Sequence, residues 1–466
     1  MTQTDYMSWR MEEDPILRST IVAVALLDTS PDRQRFIRMI ERAVDVVPIF
    51  RRKVITNVLG LTPPRWVEDP DFDLDWHLRR FTIPDAGGWE SVMDFARTTG
   101  MTAFDKDRPL WEFTVLDGLD GLDGDRAALV MKVHHSLTDG VGGMQIAREI
   151  VDFARDGTAR EPPPDRRQAQ SDDVTFPLST TLEWYRSAVT ALARRVASST
   201  RRGGRNLAAH PQRTLRGAAA VVGSTMRYTR PVFTTRSPVM TKRSTRRRVA
   251  VLDVPMSGFE AAAVACGGSI NDAFLASVLL GMRHYHRGRG VEIPELTMTL
   301  PMSLRTEQDP VGGNRITLAR FTLPTDIDDP AELIPRVHTT VESWRHEPAV
   351  PLSAIIAGGL NLLPASVLGN MLKHVDFVAS NVVGSPVALF VAGSEILRYY
   401  AFSPTLGSAF NVTLMSYTSQ CCVGINADAQ AVPDLSDLTT ALAEGFRAVL
   451  KLCPDGTSDT AVVVAS

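Results

Sequence analysis

The 466-residue sequence has little cysteine and lacks the short motifs of several large enzyme classes. Its four cysteines, Cys266, Cys421, Cys422 and Cys453, form no CxxC pair and no His/Cys ligand spacing, so neither a disulfide framework nor a zinc site is indicated. We expect reduced core thiols and no bound metal. No GxSxG, GxGxxG, GxxxxGK[ST] or HExxH motif occurs, which leaves serine-nucleophile, dinucleotide, phosphate-loop and zinc-helix chemistry without support.

Long apolar runs are also missing. No stretch of 18 uninterrupted apolar residues is present, and the acidic N-terminus, with Glu12, Glu13 and Asp14, has no apolar segment of the secretory type. We therefore expect a cytoplasmic protein. Its 44% hydrophobic and 22% charged residues are typical of a soluble globular chain, and the length predicts two or three domains.

Acidic residues are absent from one segment, between Trp184 and Leu252, which holds 16 of the 50 Lys and Arg residues. The rest of the chain carries 34 basic and 53 acidic residues. Trp184, Val189, Leu192 and Val196 recur at helical spacing among arginines and predict a short amphipathic helix. Two interpretations stay open, a solvated linker and a contact with an anionic surface of lipid headgroups or ligand phosphates. No nucleic-acid module surrounds the arginines, so we expect no nucleic-acid partner.

Hydrophobic periodicity predicts an α/β protein of two halves, residues 1–155 and 246–466, joined by a basic linker at 156–245. The linker opens with a proline-rich stretch. The predicted strands are 21–27, 111–116, 127–133, 249–252, 296–300, 316–323, 397–402, 411–417 and 421–426. The predicted helices are 32–46, 89–99, 144–151, 269–286, with Ser269 or Asn271 as N-cap, 330–345, 353–373 and 435–453.

The most informative stretch, His134-His135-Ser136-Leu137-Thr138-Asp139-Gly140, follows an apolar strand. Side chains alternate across a strand, so the two histidines should face opposite sides and have different roles. An imidazole at a strand end, without a serine nucleophile or a metal partner, favours general-base chemistry in which histidine takes a proton from a hydroxyl that attacks a carbonyl. Asp139 could fix an imidazole tautomer or stabilise the loop through an ion pair.

This HHxxxDG string resembles the signature of the CoA-dependent acyltransferase superfamily, which includes chloramphenicol acetyltransferase and nonribosomal peptide condensation domains. Pro109-Leu110-Trp111 looks like the PLW segment of the bacterial wax ester synthase/diacylglycerol acyltransferase family. Asn271-Asp272 resembles its ND motif, and the stretch 380–386 its SNVPGP motif, with Val383 in place of proline. Phe104 stands where leucine is usual. Further fragments in family order are 47–51, 72–77, 301–305, 313–314 and 411–412.

The resemblance implies a monomer of two chloramphenicol-acetyltransferase-like halves, with a tunnel entered by acyl-CoA from one side and by an alcohol from the other. It implies that His135 is the base, that His134 shapes the pocket, and that Asp139 is structural, with Arg51 as its candidate ion-pair partner. Asn271, Asn381 and Gly140 are candidates for contact with substrate or oxyanion, beside capping and turn roles for the two asparagines. No acyl-enzyme and no cofactor are expected, since acyl-CoA is a substrate.

The function predicted on this resemblance is transfer of a long-chain acyl group from acyl-CoA to diacylglycerol or a long-chain alcohol, at the cytoplasmic face of a membrane or on a lipid inclusion. The residues do not distinguish the two acceptors. One alternative is an acyltransferase for a polar metabolite or a carrier-bound acceptor. Another is a non-catalytic coat protein of lipid inclusions, against which the intact HHxxxDG argues. The apolar stretch 355–371 suits an acyl-chain groove or core packing.

Overall fold

The computed structural model describes residues 1–56, 64–83, 88–119, 126–160, 234–303, 316–347, 350, 353–361, 365–453 and 463–465. The described helices are α1 (Gln3–Met11), α2 (Arg33–Val46), α3 (Leu74–His77), α4 (Trp89–Met101), α5 (Gly140–Ile150), α6 (Met256–Ala265), α7 (Ile270–Arg287), α8 (Pro330–Arg345), α9 (Ser353–Leu360), α10 (Ala365–Leu372) and α11 (Leu435–Leu450). The described strands are β1 (Thr20–Leu27), β2 (Arg52–Ile55), β3 (Arg65–Glu68), β4 (Leu78–Thr82), β5 (Trp111–Leu119), β6 (Arg126–His134), β7 (Arg247–Pro255), β8 (Glu295–Ser303), β9 (Ile316–Pro324), β10 (Phe377–Val382), β11 (Phe390–Val391), β12 (Ser394–Phe402), β13 (Phe410–Tyr417), β14 (Gln420–Asp428) and β15 (Val463–Ala465).

Two mixed sheets organise the protein, which confirms the predicted α/β class. The first has the strand order β11-β12-β1-β6-β5-β4 and the second β15-β7-β14-β13-β10-β8-β9. A separate two-stranded sheet pairs β2 with β3. The central strands β1 and β6 are covered on both faces, so their sequences read as nearly continuous apolar runs rather than alternating ones.

The second sheet is packed against α7, whose side chains are buried almost throughout its length. This helix crosses α11 so closely that a Cβ on Gly445 would stand 2.1 Å from the carbonyl oxygen of Ser277. A Cβ on Gly281 would meet the backbone of Leu442 at 2.7 Å. Glycine is therefore needed on both helices for their backbones to approach.

Strand β12 links the two halves. It lies within the predicted C-terminal half, yet it pairs antiparallel with β1 of the first sheet, with Ala23 opposite Ala401 and Val24 opposite Tyr400. Strand β11 extends the same sheet beyond β12. The first sheet thus contains strands from both sides of the predicted linker, and separating the halves would break a full β-ladder.

The predicted and described helices differ at several places. The helix predicted over 353–373 is two helices, α9 and α10, and Pro364 stands in the sequence directly before α10. Proline disfavours helical backbone in the residue that precedes it, which explains the division. Helices α1 and α6 were not predicted. The amphipathic helix predicted from Trp184 lies outside the described residues.

The helices of the described residues show little membrane-spanning potential taken singly. Among them, no single helix combines the length and apolarity needed to cross a bilayer. Helices α6 and α7 have sufficient length and apolarity only when they are taken together, and the chain bends by 95° between them.

Candidate active site

His135 lies where β1 begins and β6 ends. Its backbone N–H donates to the carbonyl oxygen of Ser19 over 2.9 Å, one position beyond the last ladder pair, Thr20 and His134. The side chain is partly buried and lines a cavity. On the same face of the sheet, Ile21 and Val133 line this cavity too, as strand alternation requires.

His134 faces the opposite side of the sheet, as expected for adjacent strand residues. Its ring is fully buried, between Trp9 and Phe104, with ring centroids 6.1 and 5.8 Å away. Nδ1 lies 2.7 Å from Ser136 Oγ and accepts from the Ser136 N–H over 3.1 Å, while Nε2 faces Glu12 Oε2 at 3.3 Å. The two histidines therefore occupy different environments, one open to a cavity and one enclosed by protein.

Asp139 is buried and caps α5. Its Oδ1 accepts from the N–H of Gly142 over 2.7 Å. The predicted partner, Arg51, lies elsewhere, because its Nε is 3.5 Å from Glu68 and its guanidinium covers the ring of Phe72. The described ion pairs of Arg51 therefore do not include Asp139, which caps the start of α5.

The cavity has a volume of about 240 Å³ and lies between the two halves of the chain. The first half supplies α1, β1, β6 and α5, and the second supplies β8, β9, β10, β12 and β13 together with α9 and α10. Its lining is mainly apolar and includes five methionines, whose flexible side chains adapt to irregular apolar ligands. They are Met7, Met11, Met131, Met144 and Met415. Polar side chains other than His135 and Asp139 lie mostly on the second half, namely Thr299, Thr317, Arg320, Ser380, Ser403 and Asn411.

Gly140 belongs to this lining at the start of α5. A Cβ at this position would stand 3.0 Å from Val382 Cγ2, on β10 of the other half. The positive end of the α5 dipole therefore reaches the cavity at a contact between the two halves.

The two candidate asparagines lie outside the cavity lining. Asn271 is in the first turn of α7, whose N-cap is Ser269 in a reciprocal capping box with Asp272. Asn381 is on β10 between Ser380 and Val382, which both line the cavity, so strand alternation turns its side chain to the other face. In the ND motif it is Asp272 that makes long-range contacts, with its Oδ2 2.8 Å from Nδ1 of His338.

Trp111 of the PLW segment is a core residue. It is fully buried, its indole N–H donates to the carbonyl oxygen of Phe50 over 2.8 Å, and its ring stacks on His77 at 4.4 Å between centroids. The segment therefore holds β5 against the neighbouring helices.

Three site residues were missed by the sequence reasoning. Arg320 is the one charged residue in the apolar strand sequence of β9 and could have been found from that contrast. Tyr399 also lines the cavity, and burial raises its pKa to about 12, so the hydroxyl stays protonated at neutral pH. Glu12 lies in the acidic run Glu12-Glu13-Asp14, and nothing in that run indicates that its side chain is buried.

No group of three or more His, Cys, Asp and Glu side chains suited to a metal occurs within the described residues. The four cysteines are free thiols. Burial raises the pKa of Cys421 and of Cys422 to about 12, which makes both poor nucleophiles.

The sequence was compared with known families and structures. Residues 1–274 match the wax ester synthase/diacylglycerol acyltransferase catalytic domain, and residues 312–449 match the C-terminal domain of the same proteins. The chain belongs to the wax ester synthase/diacylglycerol acyltransferase family. It is therefore an acyltransferase, as the motifs predicted.

Relatives of this family span nearly the whole chain. A Mycobacterium tuberculosis H37Rv protein named "Putative diacyglycerol O-acyltransferase Rv2484c" is 34% identical over 465 residues, which cover 96% of this chain and 91% of that protein. A second protein from the same strain, with the same description, is 28% identical and covers 95% of this chain and 88% of its own length.

Solved structures share the fold. The wax ester synthase/diacylglycerol acyltransferase of Marinobacter aquaeolei VT8 aligns with a TM-score of 0.61 at 20% identity, over 96% of this chain and 98% of that chain. The first condensation domain of the calcium-dependent antibiotic synthetase aligns with a TM-score of 0.63 at 16% identity, over 100% of this chain and 98% of that chain. The fold of this chain is thus shared with a member of the family and with a condensation domain.

Proposed function

We propose that this acyltransferase moves a long-chain acyl group from acyl-CoA to the hydroxyl of diacylglycerol or a long-chain alcohol, with His135 as the general base. The observation that carries the proposal is the position of His135. It is the histidine of the pair that opens onto an apolar cavity built by both halves of the family fold.

The reaction follows from this position. His135 takes the proton of the acceptor hydroxyl as its oxygen attacks the thioester carbonyl carbon, and a C–O bond forms. The tetrahedral oxyanion then collapses, the C–S bond breaks, and the CoA thiolate receives the proton held by His135. Because the pKa of a thiol is about 8.5, the CoA thiolate is a good leaving group and needs no strong acid to protonate it first. Neither a covalent acyl-enzyme nor a cofactor is required by this sequence.

The surroundings of His135 support such chemistry. The N-terminus of α5, with Gly140 and Gly143 on the cavity, places the positive end of a helix dipole beside the reacting groups. The neutral hydroxyl of Tyr399 is a further hydrogen-bond donor to the same space. Both favour an oxyanion over the uncharged carbonyl.

The nature of the lining favours a lipid acceptor. Apolar side chains from both halves surround His135, and the methionine-rich part of the lining accommodates flexible alkyl chains. Described residues from both halves of one chain surround His135, and a monomer is the proposed unit. The basic segment from Trp184 to Leu252 carries no acidic residue and would attract an anionic membrane or inclusion surface.

Product analysis tests the proposal. Purified protein is incubated with oleoyl-CoA and, in parallel, with diacylglycerol, hexadecanol and a small polar amine, and the products are identified by mass spectrometry. Triacylglycerol or wax ester, formed only with protein present, is the expected result. Acylation of the amine in preference to both lipids would overturn the lipid acceptor, and acyl transfer to none of them would overturn the proposed function.

A further inference from the structure

One carboxylate, that of Glu12, connects the elements that carry the two histidines. Glu12 is the C-cap residue of α1 and is buried. Its Oε2 accepts from the backbone N–H of Ser19 over 2.9 Å and lies 3.3 Å from Nε2 of His134. Its Oε1 lies 3.1 Å from Nε of Arg18. A single side chain thus holds the end of α1, the start of β1 and the end of β6.

The contact sets the tautomer of His134. The Ser136 N–H points at Nδ1, so Nδ1 must present its lone pair, and the neutral ring carries its proton on Nε2. That proton faces Glu12. With the ring also enclosed by Trp9 and Phe104, His134 has one orientation available to it.

Glu12 reaches His135 through Ser19. The Ser19 amide donates to Glu12 on one side, and its carbonyl accepts from the His135 N–H on the other, so the two hydrogen bonds polarise one another in a chain. Helix α1, which Glu12 ends, also places Met7, Ser8 and Met11 on the cavity wall beside His135. Both the backbone that carries His135 and the wall next to it are therefore tied to this carboxylate.

Glu12 is ionised in the working pH range. Burial alone would raise its pKa, but the contact with His134, the Ser19 N–H and the Arg18 guanidinium outweigh burial and lower it. A buried negative charge therefore lies beside His134, the residue that precedes His135, and Arg18 partly balances this charge.

We infer that Glu12 is a positioning residue, which fixes His134 and the strand ends so that His135 meets the acceptor hydroxyl, and whose charge favours the imidazolium that forms during transfer. This inference rests on the proposed role of His135 as base. Glu12 touches neither substrate nor reacting atoms and acts through Ser19 and His134.

The charges of Glu12 and Arg18 allow a test in which two substitutions should shift the pH profile of the reaction in opposite directions. Apart from Glu12, the titratable or charged side chains near His135, on α5, β9, β12, β6 and the α1–β1 turn, are Asp139, Arg320, Tyr399, His134 and Arg18. A Glu12→Gln variant keeps all of these residues and removes the negative charge of Glu12. Arg18→Gln instead leaves the Glu12 charge without its partner. The rising limb of kcat/KM against pH, which reports the free base, should move to lower pH in Glu12→Gln and to higher pH in Arg18→Gln.

The experiment measures CoA release from oleoyl-CoA across pH for the wild type, Glu12→Gln, Arg18→Gln and the exposed neighbour Glu13→Gln as matched control. We expect kcat of Glu12→Gln to fall by roughly 10-fold to 100-fold, the effect of a misplacement of about 1 Å, with KM within about twofold because contacts to bound substrate are kept. Glu13→Gln should match the wild type. Shifts of the two limbs in the same direction, or a Glu12→Gln profile equal to that of Glu13→Gln, would overturn the inference. If Glu12→Gln does not fold, the upward shift in Arg18→Gln decides it.

A second measurement does not depend on activity. Long-range ¹H–¹⁵N correlations of ¹⁵N-histidine-labelled protein, with the His134 signals assigned by their loss in His134→Asn, should show His134 protonated on Nε2 and not on Nδ1. The reverse tautomer would overturn the inference. If His135→Ala keeps full activity, the proposed function fails while the tautomer is still measured. If His135→Ala is inactive and Glu12→Gln is not, only the inference fails.

Discussion

The carboxylate of Asp139 accepts a hydrogen bond from the N–H of Gly142 over 2.7 Å, and this bond caps α5 beside His135. We expect Asp139→Ala to lower the free energy of unfolding by about 0.5–2 kcal/mol, the usual cost of a lost N-cap. Asp139→Asn should keep most of that stability, since asparagine caps equally well. Urea unfolding of the two variants measures the difference, and equal losses in both would show that capping is not the role of this residue.

Gly140 and Val382 form a close contact between the halves. A Cβ on Gly140 would stand 3.0 Å from Val382 Cγ2, so we expect Gly140→Ala to destabilise the protein by about 1–3 kcal/mol, as overpacking does. The double variant Gly140→Ala with Val382→Ala should lose less than the sum of the two single variants, because the residues are coupled. Additive losses, measured by thermal and urea unfolding, would show that the two residues do not touch.

The strand end that carries His135 was predictable because local signals agree there. A mostly apolar run precedes the histidines, and a glycine-rich stretch follows. The face of the sheet that Asn381 occupies could not be predicted in the same way, because it depends on the register of β10. A shift of one residue along a strand moves a side chain from the cavity face to the opposite face. Ser380 and Val382 take the cavity side.

Relationships between distant residues were not predictable from local pattern. Strand β12 reads as a strand of the second half, yet its partner is β1, with Ala401 opposite Ala23. Glu12 and His134 are likewise brought together only by folding. The Arg51–Asp139 pair was inferred from family resemblance, and the described ion pair of Arg51 is with Glu68.

The lowered pKa of Glu12 predicts how acid acts on stability. Its folded-state pKa lies below the ordinary value of 4.5, so the stabilisation it gives is present above that value and is lost as pH falls through the folded pKa. The difference in free energy of unfolding between the wild type and Glu12→Gln should therefore be largest near neutral pH and shrink below about pH 4.5. Denaturant unfolding from neutral pH down to the acid transition measures it. A difference that grows on acidification would contradict the prediction.

The crossing of α7 and α11 requires Gly445. Its Cβ in Gly445→Ala would approach the Ser277 carbonyl to 2.1 Å, and backbone cannot yield as a side chain does. We expect the free energy of unfolding of this variant to fall by about 1–3 kcal/mol or more, or the variant not to fold. Gly288→Ala, where the nearest atom is 3.4 Å away, is the control and should be close to the wild type in thermal unfolding. A Gly445→Ala protein as stable as the control would show that the helices lie further apart.

The rate of CoA release by His135→Ala tests the central claim most directly. The claim is that His135, at the cavity between the halves, is the base for acyl transfer from acyl-CoA to a lipid hydroxyl. With oleoyl-CoA and the acceptor found by product analysis, His135→Ala should lose about 10²–10⁴-fold in rate, the usual contribution of a general base, with an unchanged melting temperature. His284→Ala, at an exposed histidine of α7, should retain wild-type turnover. Full activity in His135→Ala would contradict the account.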